Sequence, residues 1–362
     1  MTGKKPSGFS LIELLVVLAI LAALTTIALR SVSGVQGQAR YLQTTSSLNG
    51  IRDAMIGAPS QHSPDGSPLV TGFVADTGRL PQFLINGSDP LGTAAGDPLS
   101  ELLQQNALPS FAFVAAHSDP TVLVGVGWKG PYMHLGAGPT YLRDGWGNSY
   151  HAYDASGNLL NNASTGTPIA QLSSWGADNI ADVNHGGTGD TNGYDADVSL
   201  PYPNLISTTG GFTATLTLFG QVSMNLATDV VGSNLGNQSG TAPNLTYTAP
   251  TGTTPPPGTA VNIWVAYYGA DVTQTPAVAE VAVKLTAAPF TYALSTSTAS
   301  GSGNGQVTIG PRVLRAYVVP ASVTTWGPAA VSAAYVASPP LNVVVTGGGQ
   351  TVPNLVLPHY SP

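Results

Sequence analysis

Residues 8–13 read Gly8-Phe9-Ser10-Leu11-Ile12-Glu13 and join a short basic leader to a long apolar run. The leader contains Lys4 and Lys5, and the apolar run extends from residue 9 to residue 29 with Glu13 as its only charged residue. An apolar helix of about 20 residues is long enough to span a bilayer. A carboxylate within such a helix costs about 2.5–3.5 kcal/mol, so it normally has a partner and a function. The sequence therefore predicts a membrane-inserted helix in which Glu13 is paired.

Two common kinds of N-terminal segment explain only part of this pattern. A secretory signal peptide has a short apolar core followed by an A-x-A-like cleavage site. Here the run is longer and ends in Thr25-Thr26-Ile27-Ala28-Leu29-Arg30 without that site. A plain membrane anchor fits the length of the run but gives Glu13 no role.

The leader and the start of the run closely resemble the class III signal of type IV pilins and type II secretion pseudopilins. The resemblance lies in Lys4-Lys5-Pro6-Ser7-Gly8 followed by Phe9-Ser10-Leu11-Ile12-Glu13-Leu14. It implies that a prepilin peptidase cuts after Gly8 and N-methylates Phe9. It also implies that Glu13 helps to align each subunit with the amino terminus of a neighbour in a filament. The neighbour's ammonium group would compensate the carboxylate in a low-dielectric environment.

The same resemblance implies the partners and the location of the chain. The expected partners are prepilin peptidase, other pilin or pseudopilin subunits, the inner membrane and the assembly platform of the system. Lys4 and Lys5 are expected to keep the N-terminus cytoplasmic, so a single pass over residues 9–29 would place the later domains in the periplasm. The filament would then lie in the periplasm or at the cell surface. Many family members have a proline near the end of the run where this chain has Arg30, and no proline occurs from residue 9 to residue 58. We therefore expect a helix without a proline kink.

The composition excludes several functional classes. The net charge is −7 and charged residues make up only 8% of the 362 residues, so no basic stripe is present to neutralise the phosphates of a nucleic acid. The chain has no cysteine, which excludes disulfides, thiolate zinc sites and cysteine nucleophiles. An apolar share of 43% permits real cores, and the length allows two or three domains.

The helical pattern continues beyond the apolar run. Apolar residues recur at three- and four-residue steps as far as Met55, and Gly57-Ala58-Pro59 supplies a stop. This predicts a leader peptide over residues 1–8 and one long transmembrane and filament helix over residues 9–57.

Residues 58–203 are expected to form a small α+β head. Five pieces of it are similar to the globular domain of the major pseudopilin of type II secretion. They are Gly78-Arg79-Leu80-Pro81, Gly127-Trp128-Lys129-Gly130-Pro131-Tyr132, Asp144-Gly145-Trp146-Gly147-Asn148-Ser149-Tyr150, Ser174-Trp175-Gly176-Ala177-Asp178 and Asp195-Ala196-Asp197-Val198. The family typically has Asp-Pro-Trp-Gly-Asn-Pro-Tyr at the third piece, so two prolines are replaced here. In the family the last two pieces flank a calcium-holding loop.

The residues themselves also favour calcium. Five aspartates fall within twenty residues without a lysine or arginine among them: Asp178, Asp182, Asp190, Asp195 and Asp197. Such close carboxylates repel one another, and a hard divalent cation with six to eight oxygen ligands removes the repulsion. The spacing is not that of an EF-hand. The alternative is a solvated acidic loop.

No enzyme motif is present. Gly125-Val126-Gly127-Trp128-Lys129-Gly130 formally matches G-x-G-x-x-G, but Pro131 and Tyr132 follow where a dinucleotide site needs a helix. We interpret this segment as a turn. The six histidines are scattered, and no G-x-S-x-G, H-E-x-x-H or P-loop pattern occurs. We therefore predict no catalysis.

Residues 204–362 favour an antiparallel β-sandwich. Several runs alternate with period two, among them Phe212 to Leu218 and Val281 to Leu285. Ordinary major pseudopilins lack such an appendage, which would be either a binding module or a structural decoration.

These observations together predict a structural subunit of a type II secretion or type IV pilus-like filament. Two alternatives stay open. One is a minor pilin whose sandwich acts as an adhesin, and the other is a membrane-anchored binding protein that does not assemble.

Overall fold

The computed structural model describes residues 11–57, 71–82, 99–134, 142–154, 156–160, 169–182, 188, 193–201, 217–224, 245–247, 259–285, 290–295, 307–346 and 349–357. Gly8 and Phe9 therefore lie outside the described residues, and so does Asp190.

Helix α1 is continuous over 46 residues, from Leu11 to Ile56. It ends before Gly57, whose φ of 84° is a left-handed conformation that favours glycine. The helix thus ends one residue before the predicted boundary at residue 57. Among the residues that the structure describes, no helix has both the length and the mean hydropathy needed to cross a membrane. The membrane span over residues 9–29 stays a prediction.

The remaining elements are three short helices and fifteen strands within the described ranges. The helices are α2 (Phe73–Thr77), α3 (Ser100–Leu103) and α4 (Pro328–Ser332). The strands are β1 (Ala112–Ala115), β2 (Leu123–Val126), β3 (His151–Tyr153), β4 (Gln171–Ser174), β5 (Val198–Pro201), β6 (Thr217–Met224), β7 (Leu245–Tyr247), β8 (Thr259–Ala270), β9 (Val278–Leu285), β10 (Thr291–Ser295), β11 (Gly310–Pro320), β12 (Val336–Ala337), β13 (Leu341–Val345), β14 (Gly349–Thr351) and β15 (Leu355–Leu357).

A six-stranded sheet is the largest element of the C-terminal region. Its order is β12-β11-β8-β7, with β13 also pairing β11 and β9 also pairing β8, and every pairing is antiparallel. Strand β8 is rich in β-branched and aromatic residues, which favour an extended backbone. Its residues 262–270 are buried on both faces, so β8 is a central strand covered from both sides.

A second sheet combines both strand directions. Strand β6 pairs β10 in antiparallel fashion but pairs β14 and β15 in parallel. The α+β class and the antiparallel pairing are confirmed for most of the C-terminal region, whereas the expectation of an entirely antiparallel sandwich is wrong at these two strands. The packing of the two sheets as a sandwich stays a prediction. Smaller sheets are formed by β1 with β2 and by β3, β4 and β5.

The chain forms two compact units that are both discontinuous in sequence. The first consists of residues 1–47, 143–150 and 174–198, and the second of residues 48–142, 151–173 and 199–362. These units do not coincide with the expected head (58–203) and sandwich (204–362). Within the second unit, Ala116, Val122 and Val124 pack in one apolar cluster with Trp264 and Tyr317 of the six-stranded sheet. The domain boundaries drawn from the sequence therefore stay a prediction.

Candidate functional site

The first turns of helix α1 present an apolar surface to solvent. Glu13 lies in the first turn. All the large apolar side chains around it are more than half exposed: Leu11, Ile12, Leu14, Leu15, Val16, Val17, Leu18, Ile20, Leu21 and Leu24. A continuous apolar surface of this extent marks a site that interacts with another protein or with a membrane.

Further along α1, within the first unit, the ring of Tyr194 packs against the helix at Gly37. A Cβ atom on Gly37 would lie 2.6 Å from the Tyr194 ring, so the absence of a side chain makes room for the aromatic group. Tyr194 also packs against Tyr41, one helical turn later, with 6.4 Å between ring centroids. These contacts place the segment that begins at residue 193 directly on the helix.

A second contact on the helix comes from the loop after Asp144. The backbone N–H of Gly145 donates to Oγ1 of Thr44 at 2.9 Å, and the Thr44 hydroxyl donates to the carbonyl of Arg40 at 2.9 Å. A Cβ atom on Gly145 would clash with the Arg40 carbonyl. Only glycine brings the loop backbone this close to the helix, which gives a physical reason for Gly145 in the pseudopilin-like piece.

The buried carboxylate of Asp144 shapes the same loop. Its Oδ1 accepts hydrogen bonds from the backbone N–H groups of Trp146 (2.9 Å) and Asn148 (2.7 Å). Its Oδ2 accepts one from the hydroxyl of Ser174 at 2.6 Å. Burial raises the pKa of Asp144 above its usual value, although these hydrogen bonds lower it in part. The carboxylate thus joins two of the pieces that resemble the pseudopilin, at residues 144–150 and 174–178.

Asn148 and Tyr150 belong to the same loop as Asp144. The Asn148 side chain donates to the carbonyl of Gly176 at 3.0 Å. Burial raises the pKa of Tyr150 to about 12. We name residues 144–150 with Thr44 and Ser174 the helix clamp.

The acidic loop is only partly described. Asp182 is buried, and its backbone N–H donates to Oδ2 of Asp197 at 3.2 Å. Oδ1 of Asp178 accepts a hydrogen bond from the backbone N–H of Ile180 at 3.0 Å. The carbonyl of Tyr194, the residue before Asp195, accepts one from the backbone N–H of Ala177. Within the described residues no three His, Asp or Glu side chains are grouped closely enough to hold a metal ion. The calcium site stays a prediction because Asp190 lies outside those residues.

Two of the other pseudopilin-like pieces, at residues 78–81 and 127–132, meet in the second unit. Arg79 forms a bidentate ion pair with the buried Glu101, with Nη2 and Oε1 2.6 Å apart. The indole N–H of Trp128 donates to the carbonyl of Glu101 at 2.8 Å. Tyr132 donates to Oδ2 of Asp76 at 3.0 Å, and burial raises the pKa of Asp76. No helix occurs within residues 131–134 after Gly130, and Gly125 and Val126 lie in strand β2, so the interpretation of the whole segment as a turn is wrong at its start.

Sequence reasoning missed a buried polar network in the described part of the second unit, centred on Asp119. Oδ2 of the buried Asp119 accepts from Nη1 of Arg315 at 2.7 Å and from the hydroxyl of Tyr317 at 2.6 Å. Its Oδ1 accepts from the N–H and the hydroxyl of Thr121 at 3.0 and 2.7 Å. Tyr317 gives its proton to Asp119, so the 2.7 Å contact between the two tyrosine hydroxyls has Tyr268 as donor.

The network continues to a second acid. The backbone N–H of Ser118 donates to Oε1 of Glu280 at 2.9 Å. Up to 198 residues separate its members, and no local motif marks them. The sequence signal is Arg315, one of two arginines in the otherwise uncharged strand β11; the other is Arg312. We name the group Asp119, Thr121, Arg315, Tyr317 and Tyr268 the Asp119 network.

Comparison with known proteins gives one finding, and it concerns the N-terminus. The family model of the prokaryotic N-terminal methylation motif matches residues 3–29. No curated protein and no solved structure matches the chain. The prepilin-type signal predicted from Gly8, Phe9 and Glu13 is thereby confirmed as a motif, and the resemblance of residues 78–197 to a pseudopilin stays a prediction. The chain carries a prepilin-type N-terminal methylation motif.

Proposed function

We propose that this chain is a structural subunit of a filament of the type IV pilin and pseudopilin kind. The observation that carries the proposal is that the methylation motif and an exposed apolar helix lie on one continuous stretch of the chain. The methylation motif over residues 3–29 leads into one uninterrupted helix, and the apolar side chains of that helix are exposed from Leu11 to Leu24. Membrane lipid covers such a surface before assembly, and the helices of neighbouring subunits cover it afterwards.

The proposed mechanism is processing followed by polymerisation, without catalysis by the chain itself. Prepilin peptidase removes residues 1–8 and methylates Phe9, and residues 9–29 anchor the subunit in the inner membrane with its later residues in the periplasm. On the assembly platform, Glu13 pairs with the terminal amine of a neighbouring subunit. The pair is favourable because it offsets the cost of a carboxylate in an apolar environment.

We further propose that the filament is a pseudopilus of type II secretion. The helix clamp supports this assignment, because two pieces that resemble the major pseudopilin are joined by Asp144 and Ser174 and hold the loop on α1 through Gly145. A role for these pieces in fixing the loop at residues 144–150 on α1 explains why they occur together.

Calcium at the acidic loop is part of the proposal. Asp182 and Asp197 already lie side by side, and Asp178 and Asp195 come from the same two chain segments of the first unit. The described aspartates do not make a complete site by themselves, so the proposal requires Asp190 or backbone carbonyls as additional ligands. Calcium would join the segments on either side of the loop.

Mass spectrometry of the mature N-terminus tests the proposed function. The chain is isolated from membranes of cells that contain an active prepilin peptidase, and its N-terminal peptide is sequenced. We expect the peptide to begin at Phe9 and to carry one methyl group. A Gly8→Leu variant serves as the control and should retain Met1. An intact leader on the natural sequence would overturn the proposal.

A further inference from the structure

The hairpin of β1 and β2 has one buried face and one exposed face. Val122 and Val124 belong to the apolar cluster of the six-stranded sheet. On the opposite side, Phe113 is 72% exposed and Leu123 is 55% exposed. The register places Phe113 opposite Gly125 and Ala115 opposite Leu123, so these residues project from the same side of the hairpin. We name Phe111, Phe113, Ala115, Leu123 and Gly125 the hairpin face.

The hairpin face is aromatic and has a cationic rim. Phe111 meets Phe113 edge to face, with 5.9 Å between the centroids, and the Gly125 position leaves no space for a side chain against the Phe111 ring. Nζ of the exposed Lys129 lies 5.0 Å from the Phe111 centroid. An exposed phenylalanine beside a lysine is typical of a contact with an apolar surface that carries negative charge.

The face is also held rigidly. The loop that joins β1 to β2 contains Asp119, which is fixed by Arg315 and Tyr317 of β11 and by Thr121 of the loop itself. Ser118 of the same loop is bonded to Glu280 of β9. Several charged or polar groups therefore immobilise a hairpin whose outer side chains Phe113 and Leu123 are more than half exposed, and such preorganisation favours binding.

The chemistry of the face selects the kind of partner. Its side chains are phenylalanine, alanine and leucine, with a glycine between them, and these offer no hydroxyl or amide group to orient a sugar or another polar small molecule. A protein surface is the better fit. Acidic residues outnumber basic ones in the chain, which has a net charge of −7, so a second copy can present an anionic rim to Lys129.

A complementary surface exists in the first unit. Ile180 is 48% exposed and Tyr194 is 39% exposed. The N–H of Ala177 donates to the carbonyl of Tyr194 at 2.9 Å, which holds the two segments together, and the partly exposed Asp178 adds a negative charge. We name Ala177, Asp178, Ile180 and Tyr194 the acidic-loop face. It has an apolar centre and an anionic rim, the reverse of the hairpin face.

We infer that the hairpin face of one subunit docks on the acidic-loop face of a second copy of the chain, with Lys129 paired to Asp178. The contact is head-to-tail, and repetition of such a contact generates a filament. It rests on the proposed filament function. A modest contact suffices, because the packed α1 helices hold the two faces at a high effective concentration.

Engineered cysteines give a direct test, since the chain contains no cysteine of its own. Ala115→Cys in one copy and Ala177→Cys in another leave Phe113, Leu123, Ile180 and Tyr194 in place. The two variants are co-expressed as full-length chains under assembly conditions and oxidised. We expect a disulfide-linked dimer, and we expect none when Ala115→Cys is paired with Ser156→Cys, an exposed control position.

Further substitutions on this background test the chemistry. Phe113→Ser should lower the cross-linked fraction at least fivefold, whereas Phe219→Ser, at an exposed phenylalanine of another sheet, should leave it unchanged. Lys129→Glu should lower it about threefold, and adding Asp178→Lys should restore it.

Three outcomes overturn the inference. Filaments of the unsubstituted chain that form while the cysteine pair stays uncrosslinked would contradict the inference alone. A cross-link from Ala115→Cys to a different protein would replace the second copy with another occupant. If the unsubstituted chain forms no filament at all, as judged by electron microscopy, the proposed function fails together with the inference.

Discussion

Asp119 and Arg315 lie 196 residues apart in sequence and form an ion pair of 2.7 Å, in which the carboxylate is 3% and the guanidinium 18% exposed. The pair joins the loop after β1 to the centre of β11. It explains why residues that the sequence assigns to a small head fold together with strands assigned to a separate sandwich. A buried pair of this kind is costly to break from one side, because it leaves an uncompensated charge.

The first prediction concerns this coupling. Asp119→Asn and Arg315→Met should each lower the free energy of unfolding by about 3 kcal/mol, because each leaves the other partner buried without its counter-charge. The double variant should lose less than the sum of the two single losses. The measurement is chemical denaturation of the full chain in detergent. Arg52→Met is the matched control, since the Arg52–Asp53 pair is partly exposed and should be worth less than about 1 kcal/mol. Additive losses would show that the two residues act independently.

The second prediction is that Asp119 and Asp144 make the free energy of unfolding depend on pH in opposite directions. Burial raises the pKa of Asp119, but hydrogen bonds from Tyr317 and Thr121 and the charge of Arg315 outweigh it, so the folded-state pKa lies below the usual value for an aspartate. A depressed pKa gives stability that is present above the unfolded pKa and is lost as the pH falls through the folded pKa. The stability difference between the natural chain and Asp119→Asn should therefore be constant down to a pH near 3.8 and decrease below it.

Asp144 supplies the opposite case. Burial raises its folded pKa, so its contribution is complete below the unfolded pKa and is lost as the pH rises through the folded pKa. Relative to the natural chain, Asp144→Asn should gain stability as the pH rises above 3.8. Equal pH profiles for the two variants would contradict both assignments. Denaturation at closely spaced pH values makes the comparison.

The elements that were predictable from sequence are those with a local signal. The stop at Gly57 follows from glycine, and the strand over Val281 to Leu285, which lies in β9, follows from period-two alternation. The units were not predictable, because they depend on long-range pairs such as Asp119 with Arg315. The parallel direction of β14 and β15 was not predictable for a similar reason, since period-two alternation does not encode strand direction.

The candidate site likewise contains some residues that a local sequence pattern marks and others whose role depends on long-range contacts. Gly8, Phe9 and Glu13 form a local motif, and the family-model match confirms that motif. The five aspartates are also a local pattern, but ligation depends on how two separate segments are placed. The role of Gly145 follows only from the position of the Arg40 carbonyl, which the sequence around either residue does not reveal.

The third prediction tests the helix clamp at Gly145. Gly145→Ala should destabilise the chain by about 1–3 kcal/mol, because its Cβ clashes with the backbone of α1 and the loop must move away. Gly50→Ala is the matched control: nothing lies within 4 Å of its Cβ, so the helix should gain up to about 1 kcal/mol from the removal of glycine. Thermal unfolding measures both. Hydrogen exchange at the backbone N–H of residue 145 should be faster in Gly145→Ala and unchanged in Gly50→Ala. Unchanged exchange at residue 145 in Gly145→Ala would contradict the proposed contact of this loop with α1.

The fourth prediction concerns calcium. If the acidic loop binds the ion, removal of calcium by a chelator should lower the thermal unfolding temperature of the natural chain, because a ligand at 100 times its Kd stabilises the folded state by about 2.7 kcal/mol. A variant with Asp178→Asn and Asp197→Asn should unfold at the same temperature with and without calcium. Asp154→Asn, outside the loop, should retain the full response. A natural chain that is insensitive to the chelator would show that the aspartates form a solvated surface loop.

The fifth prediction separates assembly from membrane insertion at Glu13. Glu13→Gln keeps the shape of the side chain but removes the charge that is proposed to pair with a neighbour's amine. Insertion should be preserved, because an apolar segment loses a carboxylate that costs about 2.5–3.5 kcal/mol. Filament formation, measured by shearing, sedimentation and electron microscopy, should fall at least tenfold. Thr25→Ala is a neutral control on the same helix, since the Thr25 hydroxyl is bonded to the carbonyl of Leu21 within its own chain. Normal filaments from Glu13→Gln would show that pairing of this carboxylate is not what drives assembly, and the exposed apolar surface of α1 would then have to supply the driving force alone.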